Sequence, residues 1–166
     1  MREFILYDGT IVKVDDEDFN HIADYQWYLN KKDGKIRAVV RNDNGRLFYM
    51  HREILAAPES AIVDHIDGNP LNNTKQNLRF VNDQQSNQNR GKFKNCSSKY
   101  KGVTWHKRVK RWQAQIGFNK DVIQLGYHET EELAAVHYDM AAIYLFGKYC
   151  RLNFPERAAE YMAQLE

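Results

Sequence analysis

The stretch VDHIDGNPLNNTKQNLRFVNDQQSNQNR, residues 63 to 90, limits the fold of this chain more than any other. It holds seven asparagines: Asn69, Asn72, Asn73, Asn77, Asn82, Asn87 and Asn89. Asparagine side chains bond nearby backbone groups and so hold loops, and they are too polar to fill a core. From Ile62 the pattern reads as a short strand, an Asn-rich loop, a second strand "LRFV", and a polar helix or turn from about Asp83. The partners there with obvious chemistry are Asp64 and His65, beside the tight turn at Asp67-Gly68-Asn69.

A phosphodiester resists hydrolysis because its charge repels nucleophiles and its alkoxide leaves poorly. A cation held by carboxylate or amide oxygens offsets that charge, while a neutral histidine takes a proton from water. Asp64 and His65 offer those two functions at a strand end. Neighbouring strand residues point to opposite faces, so both serve one site only if the strand kinks, as the following turn allows. The plainer alternative is that the pair merely holds a turn together.

The spacing D-H-x-D-G-N…N-x-x-x-N-L-R, with "MHREIL" before it and "QSNQNR" after it, resembles the HNH endonuclease motif. The likeness runs from Met50 to Arg90 and is to the group typified by phage and intron-encoded homing endonucleases. It implies a ββα-metal fold with Asp64 as metal ligand, His65 as general base and Asn77 as the catalytic asparagine that pins the loop. It also implies a divalent cation, Mg²⁺ first and Mn²⁺ second. The remaining ligand would be an Asn or His on the helix. Ser86 stands at the aligned position, and a shift of one residue makes it Asn87, with Asn89 further along. His51 falls within the resemblance, with an expected role in packing or DNA-backbone contact. No catalysis is assigned to His21, His106, His128 or His137.

Ahead of this motif, "REFILYDGTIVKV" reads as a hairpin around Asp8-Gly9, a dipeptide that tolerates positive φ. "DDEDFNHIADY" reads as a short helix with acids in its first turn and Phe19, Ile22 and Ala23 on its apolar side. "QWYLN", "KIRAVVR" and "RLFYMHREIL" read as strands separated by "KKDG" and "NDNG". No run approaches a membrane span and "MREFILYDG" lacks the apolar core of a secretory signal, so an intracellular, soluble protein is expected. Cys96 and Cys150 stand outside any C-x-x-C and are expected as free thiols.

The net charge of +2 hides an asymmetry: residues 1–90 carry 12 Lys/Arg against 14 Asp/Glu, and residues 91–166 carry 12 against 8. Lys92, Lys94, Lys99, Lys101, Lys107, Arg108, Lys110 and Arg111 follow one another with no acid between them, interleaved with Tyr100, Trp105 and His106. Such a segment suits a polyanion, though a solvated surface would look similar. Beyond it, "KGVTWH", "RWQAQIGF" and "VIQLGYH" read as strands. "TEELAAVHYDMAAIYLF" reads as a helix capped by Thr130, favoured by Glu131 and Glu132, and ended by Gly147. In "RWQAQIGF", Trp112, Ala114, Ile116 and Phe118 are expected on a core face, leaving Arg111, Gln113, Gln115 and Gly117 outside. Three strands with such a face fit a major groove, where Gln and Arg read bases.

With "YKGV", "LGY", "AAVHYDMAA" and "LNFP", residues Tyr100 to Glu156 resemble the plant ethylene-response-factor, or apetala-two, DNA-binding domain. The resemblance implies a sheet that enters the major groove. The expected DNA contacts are Lys101, Gly102, Thr104, His106, Arg108, Arg111, Gln113, Gln115 and Gln124. Lys101 and Thr104 stand where the plant domains have Arg, and Gln124 where they have Trp, so the plant target is not carried over. The helix face of Leu133, His137, Met140 and Tyr144 is expected to pack on the sheet.

The expected architecture is α+β. A β-rich N-terminal unit with a ββα-metal HNH motif (1–90) leads through a basic linker (91–99) to a three-stranded antiparallel sheet packed on one helix (100–156), with a C-terminal helix or tail (157–166). The expected function is a site-preferring endonuclease on double-stranded DNA, a homing endonuclease acting as a monomer with no membrane partner. The alternative is a DNA-binding regulator whose nuclease half is degenerate, and an RNA-binding reading stands third.

Overall fold

The computed structural model describes residues 1–32, 34–91 and 96–165; Lys92 and Lys94 of the basic segment lie outside the described residues. The chain divides into two compact units, Met1–Ser86 and Asn87–Glu166. Among the described residues no helix is long and apolar enough to cross a membrane.

The first unit begins with the hairpin of β1 (Arg2–Ile5) and β2 (Ile11–Val14), turned by Gly9 at φ +80° while Asp8 Oδ1 accepts from the Thr10 N–H. Helix α1 (Asp16–Ala23) carries Asp16, Glu17 and Asp18 in its first turn, where the helix dipole favours acids. Ile22 is its buried residue, and the Ile22 carbonyl accepts from Trp27 Nε1 at 2.9 Å. Strands β3 (Tyr28–Lys32), β4 (Lys35–Asp43) and β5 (Arg46–Tyr49) form an antiparallel sheet with β4 central.

The strand expected over "RLFYMHREIL" stops at Tyr49, and Met50–Ile54 is helix α2. The reason is periodicity: Met50 and Ile54, four apart, are both buried, which a helix achieves on one face while His51, Arg52 and Glu53 stay partly exposed. Both join Leu6, Val12, Val14, Ile22, Trp27, Val39 and Leu78 in the core. Leu78 belongs to β7 (Leu78–Val81), which pairs antiparallel with β6 (Ile62–His65), and α3 (Asp83–Gln88) follows. The loop between β6 and β7 is stitched to β2: the Lys13 N–H donates to the Leu71 carbonyl and the Asn73 N–H to the Lys13 carbonyl, both at 2.8 Å.

In the second unit β8 (Val103–His106), β9 (Arg111–Phe118) and β10 (Asp121–His128) form an antiparallel sheet with β9 central, backed by α4 (Glu131–Phe146). Thr130 Oγ1 accepts from the Leu133 N–H at 3.1 Å and caps α4, and Gly147 ends it at φ +53°. The helix face turned to the sheet is not the expected one. Ala134, Ala135, Tyr138 and Ala142 are buried, whereas Leu133 and Tyr144 are 44% and 76% exposed. Small alanines let the helix approach the sheet closely, and Gly102 completes the fit: a Cβ there would lie 1.9 Å from Tyr138 Cδ2 and 2.7 Å from the Gln115 carbonyl oxygen.

Residues on both sides of 100–156 make contacts with the second unit's sheet and helix. Ser97 Oγ accepts from the Trp105 N–H at 2.8 Å, and the Lys99 N–H donates to Glu131 Oε1 at 2.9 Å, so these linker residues are fastened to the second unit. Residues beyond 157 form α5 (Ala158–Leu165), which packs on α4 and buries Tyr161 completely. Asp139, also fully buried, accepts from the Asn153 and Phe154 N–H groups, anchoring the "LNFP" segment to α4. Neither Cys96 nor Cys150 is in a disulfide.

Candidate nuclease loop and DNA-facing sheet

Asp64 and His65 end β6, opposite Arg79 and Leu78 of β7. The register runs unbroken from Ile62 to His65, and successive residues of a regular strand point to opposite faces. Asp64 Oδ2 accepts from Arg79 Nη2 at 3.1 Å, an ion pair whose side chains are only 17% and 13% exposed. His65 Nε2 lies 3.1 Å from Asn73 Oδ1, and its ring meets the His51 ring edge-on, with centroids 5.1 Å apart. Burial lowers the His65 imidazole below the ordinary histidine range, against the pull of the Asn73 bond and the Asp67 and Asp64 carboxylates. A ring kept neutral near pH 7 can accept a proton.

The asparagines hold the loop by enumerable bonds. Asn77 Nδ2 donates to Asp67 Oδ1 at 2.9 Å and to the Asn72 carbonyl at 2.8 Å, while Asn77 Oδ1 accepts from the Asp67 N–H at 3.1 Å. These bonds make Asn77 a pin across the loop, with its amide turned to Asp67 and Asn72. Asp67 also accepts from the Asn69 N–H and from Asn72 Nδ2. Burial would raise its carboxyl, but the bonds from Asn72, Asn69 and Asn77 together bring it below the usual range.

Among the described residues no three His, Cys, Asp or Glu side chains gather as a metal cluster. Of the donors expected from the sequence, Asp64 offers a hard carboxylate on β6, and Ser86 and Asn87 are residues of α3. Mg²⁺ is commonly held by one or two carboxylates completed by water and substrate phosphate, so this donor chemistry fits it. Binding would require Asp64 to share its carboxylate between the cation and Arg79. Sequence reasoning passed over Arg79, although the cross-strand pairing of a Leu-Arg strand with Val-Asp-His would have placed it beside Asp64.

His51 is neither a plain core residue nor an exposed one. Burial, with His65 and Arg52 adding, pushes its imidazole down to about 4, and its Nδ1 is buried without a hydrogen-bond partner. In the unfolded chain the same ring titrates near 6.5, so between those values the unfolded state binds more protons and stability rises with pH. The first unit is therefore expected to lose up to about 3 kcal/mol as pH falls from about 6.5 to 4, and nothing more from this group below that. Thermal melts across this range should fall less steeply for His51→Phe than for the unchanged protein; parallel curves would remove His51 as the cause.

On the second unit, the sheet face away from α4 carries cross-strand pairs of Thr104 with Gln113, His106 with Arg111, and Gln115 with Gln124. Gln124 and Arg111 are exposed and Gln115 is half-buried. Arg111 pairs with Glu129 at 2.8 Å, an exposed ion pair of small worth that a phosphate can displace. Lys107 and Arg108 are exposed in the β8–β9 turn, where His106 Nδ1 accepts from the Val109 N–H at 3.1 Å.

Three expected contacts sit elsewhere. Gln113 is only 9% exposed: His106 and Tyr127, from the strands on either side, meet at 5.2 Å between ring centroids, and they can do so only across β9. Lys101 donates from Nζ to the Gln88 carbonyl at 2.6 Å, and burial pushes its ammonium down to about 8. Gly102 faces Tyr138 rather than an open groove.

Comparison with known proteins gives two kinds of relative. Residues 56–88 match the HNH endonuclease family. An uncharacterized HNH endonuclease of Acanthamoeba polyphaga mimivirus is 34% identical over 157 residues, covering 87% of this chain and 75% of that protein. An ethylene-responsive transcription factor of Arabidopsis thaliana is 33% identical over 132 residues, 78% of this chain but only 30% of the plant protein. Protein 3.8 of Escherichia phage T7 is 36% identical over 59 residues, 36% of this chain and 49% of its own length. No solved structure matches the chain.

Proposed function

The chain belongs to the HNH endonuclease family, and from that membership we propose that it hydrolyses phosphodiester bonds in double-stranded DNA, with a divalent metal ion and His65 as general base. The observation that carries the reading is a partly buried His65, whose burial favours the neutral ring, next to Asp64 at the end of β6. Asp64, with Ser86 or Asn87 on α3, would hold the metal. When bound, Mg²⁺ or Mn²⁺ offsets charge on the phosphate and on the departing oxygen. His65 takes the proton of the attacking water; Asn77 keeps the Asp67 turn closed so that the strand end stays in place. Because successive residues of a regular strand point to opposite faces, the scissile phosphate would lie across the strand end between the two side chains.

Residues 100–156 would set site preference. Thr104, Gln115 and Gln124 offer donors and acceptors to base edges, and Arg108 and Arg111 offer charge to phosphates. Gln113 would take part only if DNA displaced His106 or Tyr127. A preference of this kind, with relatives in a phage and a giant virus, supports the homing reading.

The ion pair of Arg79 with Asp64 favours one rival, a DNA-binding regulator without cleavage. One assay separates the two. Supercoiled plasmid is expected to be relaxed or linearised with Mg²⁺ or Mn²⁺ and left intact with chelator. Intact plasmid under all conditions, together with retained DNA binding, would establish the regulator instead.

A further inference from the structure

We propose that the groove between residues 4–7 and 25–28 of the first unit binds an unpaired nucleotide of DNA, stacking its base on Tyr25 and Tyr28. The inference shares with the proposed function only DNA as the ligand, and needs neither a metal ion nor His65.

The groove has a volume of about 450 Å³, within the roughly 300 to 1,000 Å³ of pockets that enclose small ligands. One wall is β1, which among the described residues pairs with β2 alone. Leu6 turns toward β2, its N–H donating to the Thr10 carbonyl at 2.9 Å, so by alternation the N–H and carbonyl of Ile5 face away from β2, on the groove side. The other wall carries two tyrosine rings that the fold leaves partly bare: Tyr25 is 38% and Tyr28 49% exposed. Both are held in place. Arg41 lies over the Tyr25 ring at 4.1 Å, and the His21 and Trp27 rings make T-shaped contacts with it at 6.0 and 6.3 Å. The Tyr28 hydroxyl donates to Gln26 Oε1 at 2.9 Å, so the Gln26 amide presents its Nε2 group as a donor.

The chemistry of the walls selects the occupant. A nucleobase has a π-face for stacking and polar edges for hydrogen bonds, and it exposes that face only when it leaves the duplex stack. The groove answers both needs, with tyrosine rings for the face and with Gln26 and the Ile5 backbone for the edge. A nucleotide also brings a phosphate, and cations follow the rings along the same strand: Lys31 and Lys32 are exposed on β3 beyond Tyr28. Lys31 reaches the β1–β2 turn as well. Asp8 is held below the usual carboxylate range by its bonds from Thr10, with the charge of Lys31 adding to them, so this cation stands beside both walls. Aromatic rings flanked by cations are the means by which proteins hold single strands without reading their sequence.

The test uses the full chain in chelator, so that no strand is cut. Photo-crosslinking to an oligothymidine that carries one iodouracil base, followed by mass spectrometry, is expected to mark residues within 4–7 or 25–28. No crosslink, or crosslinks confined to other segments, overturns the proposal and needs no variant. Tyr25→Ala and Tyr28→Ala, shown to be folded by thermal melts, are each expected to weaken oligothymidine binding about 5- to 150-fold while duplex binding stays within about twofold. Tyr28→Phe keeps the ring and should stay within about threefold of the unchanged protein. Equal oligothymidine affinity in the unchanged protein and both folded alanine variants overturns the proposal. Capture of displayed random peptides that is lost in Tyr28→Ala, with oligothymidine binding equal in the two proteins, also overturns it and makes the groove a peptide site. Plasmid left uncut with Mg²⁺ would refute the cleavage reading and leave this one standing.

Discussion

Replacing His65 with alanine is expected to lower DNA cleavage by roughly 10²- to 10⁴-fold while leaving affinity for the same duplex nearly unchanged. A general base acts on water during the reaction and adds little to ground-state binding. The surroundings of His65 support a chemical role, since burial favours the neutral ring, which lies between Asn73 and His51. Single-turnover cleavage and gel shifts on one duplex, measured with both proteins, decide the matter. Parallel loss of cleavage and binding would make His65 a loop support, as would a melting temperature lowered enough to unfold the first unit.

The second large effect is expected at Gly102. Alanine there would place its Cβ 1.9 Å from the Tyr138 ring and 2.7 Å from the Gln115 carbonyl oxygen, at a φ of +75°. Neither obstacle yields cheaply, because Tyr138 is buried between sheet and helix and the carbonyl belongs to the central strand. Overpacking and backbone strain together should cost about 3 to 5 kcal/mol, enough to unfold a domain of ordinary stability. Gly9 is the control: it has φ +80° but open space around its Cβ position, and Gly9→Ala should cost only about 1 to 2 kcal/mol. Denaturant melts of the three proteins test the contrast. Equal costs at the two glycines would mean that strain alone matters and that α4 does not press on Gly102.

Much of this protein is legible in its sequence wherever the physics is local. Asp8-Gly9 marks a hairpin turn because few dipeptides tolerate positive φ, and Thr130 marks a helix start because its hydroxyl can reach the Leu133 N–H. Alternation of apolar and polar residues marks β9, and the motif around Asp64 and His65 can be found because its loop chemistry needs asparagines at fixed intervals. The family relation to HNH endonucleases is carried by that same local spacing.

What the sequence could not decide were the matters set by contact between distant segments. Met50 and Ile54 can suit a strand or a helix, and the shared core with Leu78 and Val12 selects the helix. Alternation places Gln113 on the outer face of β9, but only the reach of His106 and Tyr127 from the flanking strands covers it. Leu133 and Tyr144 look more apolar than Ala134 and Ala135, yet the alanines are buried with Tyr138 on the face turned to the sheet, because small side chains there let α4 approach it closely and Gly102 makes room for the Tyr138 ring. The same holds at the candidate active site: sequence identifies Asp64 and His65, whereas their partners Arg79, Asn73 and His51 come from β7, the loop and α2. Local spacing thus determines which groups this protein has for chemistry, and tertiary packing alone determines their protonation, orientation and exposure, because those depend on neighbours that the chain brings together only when folded.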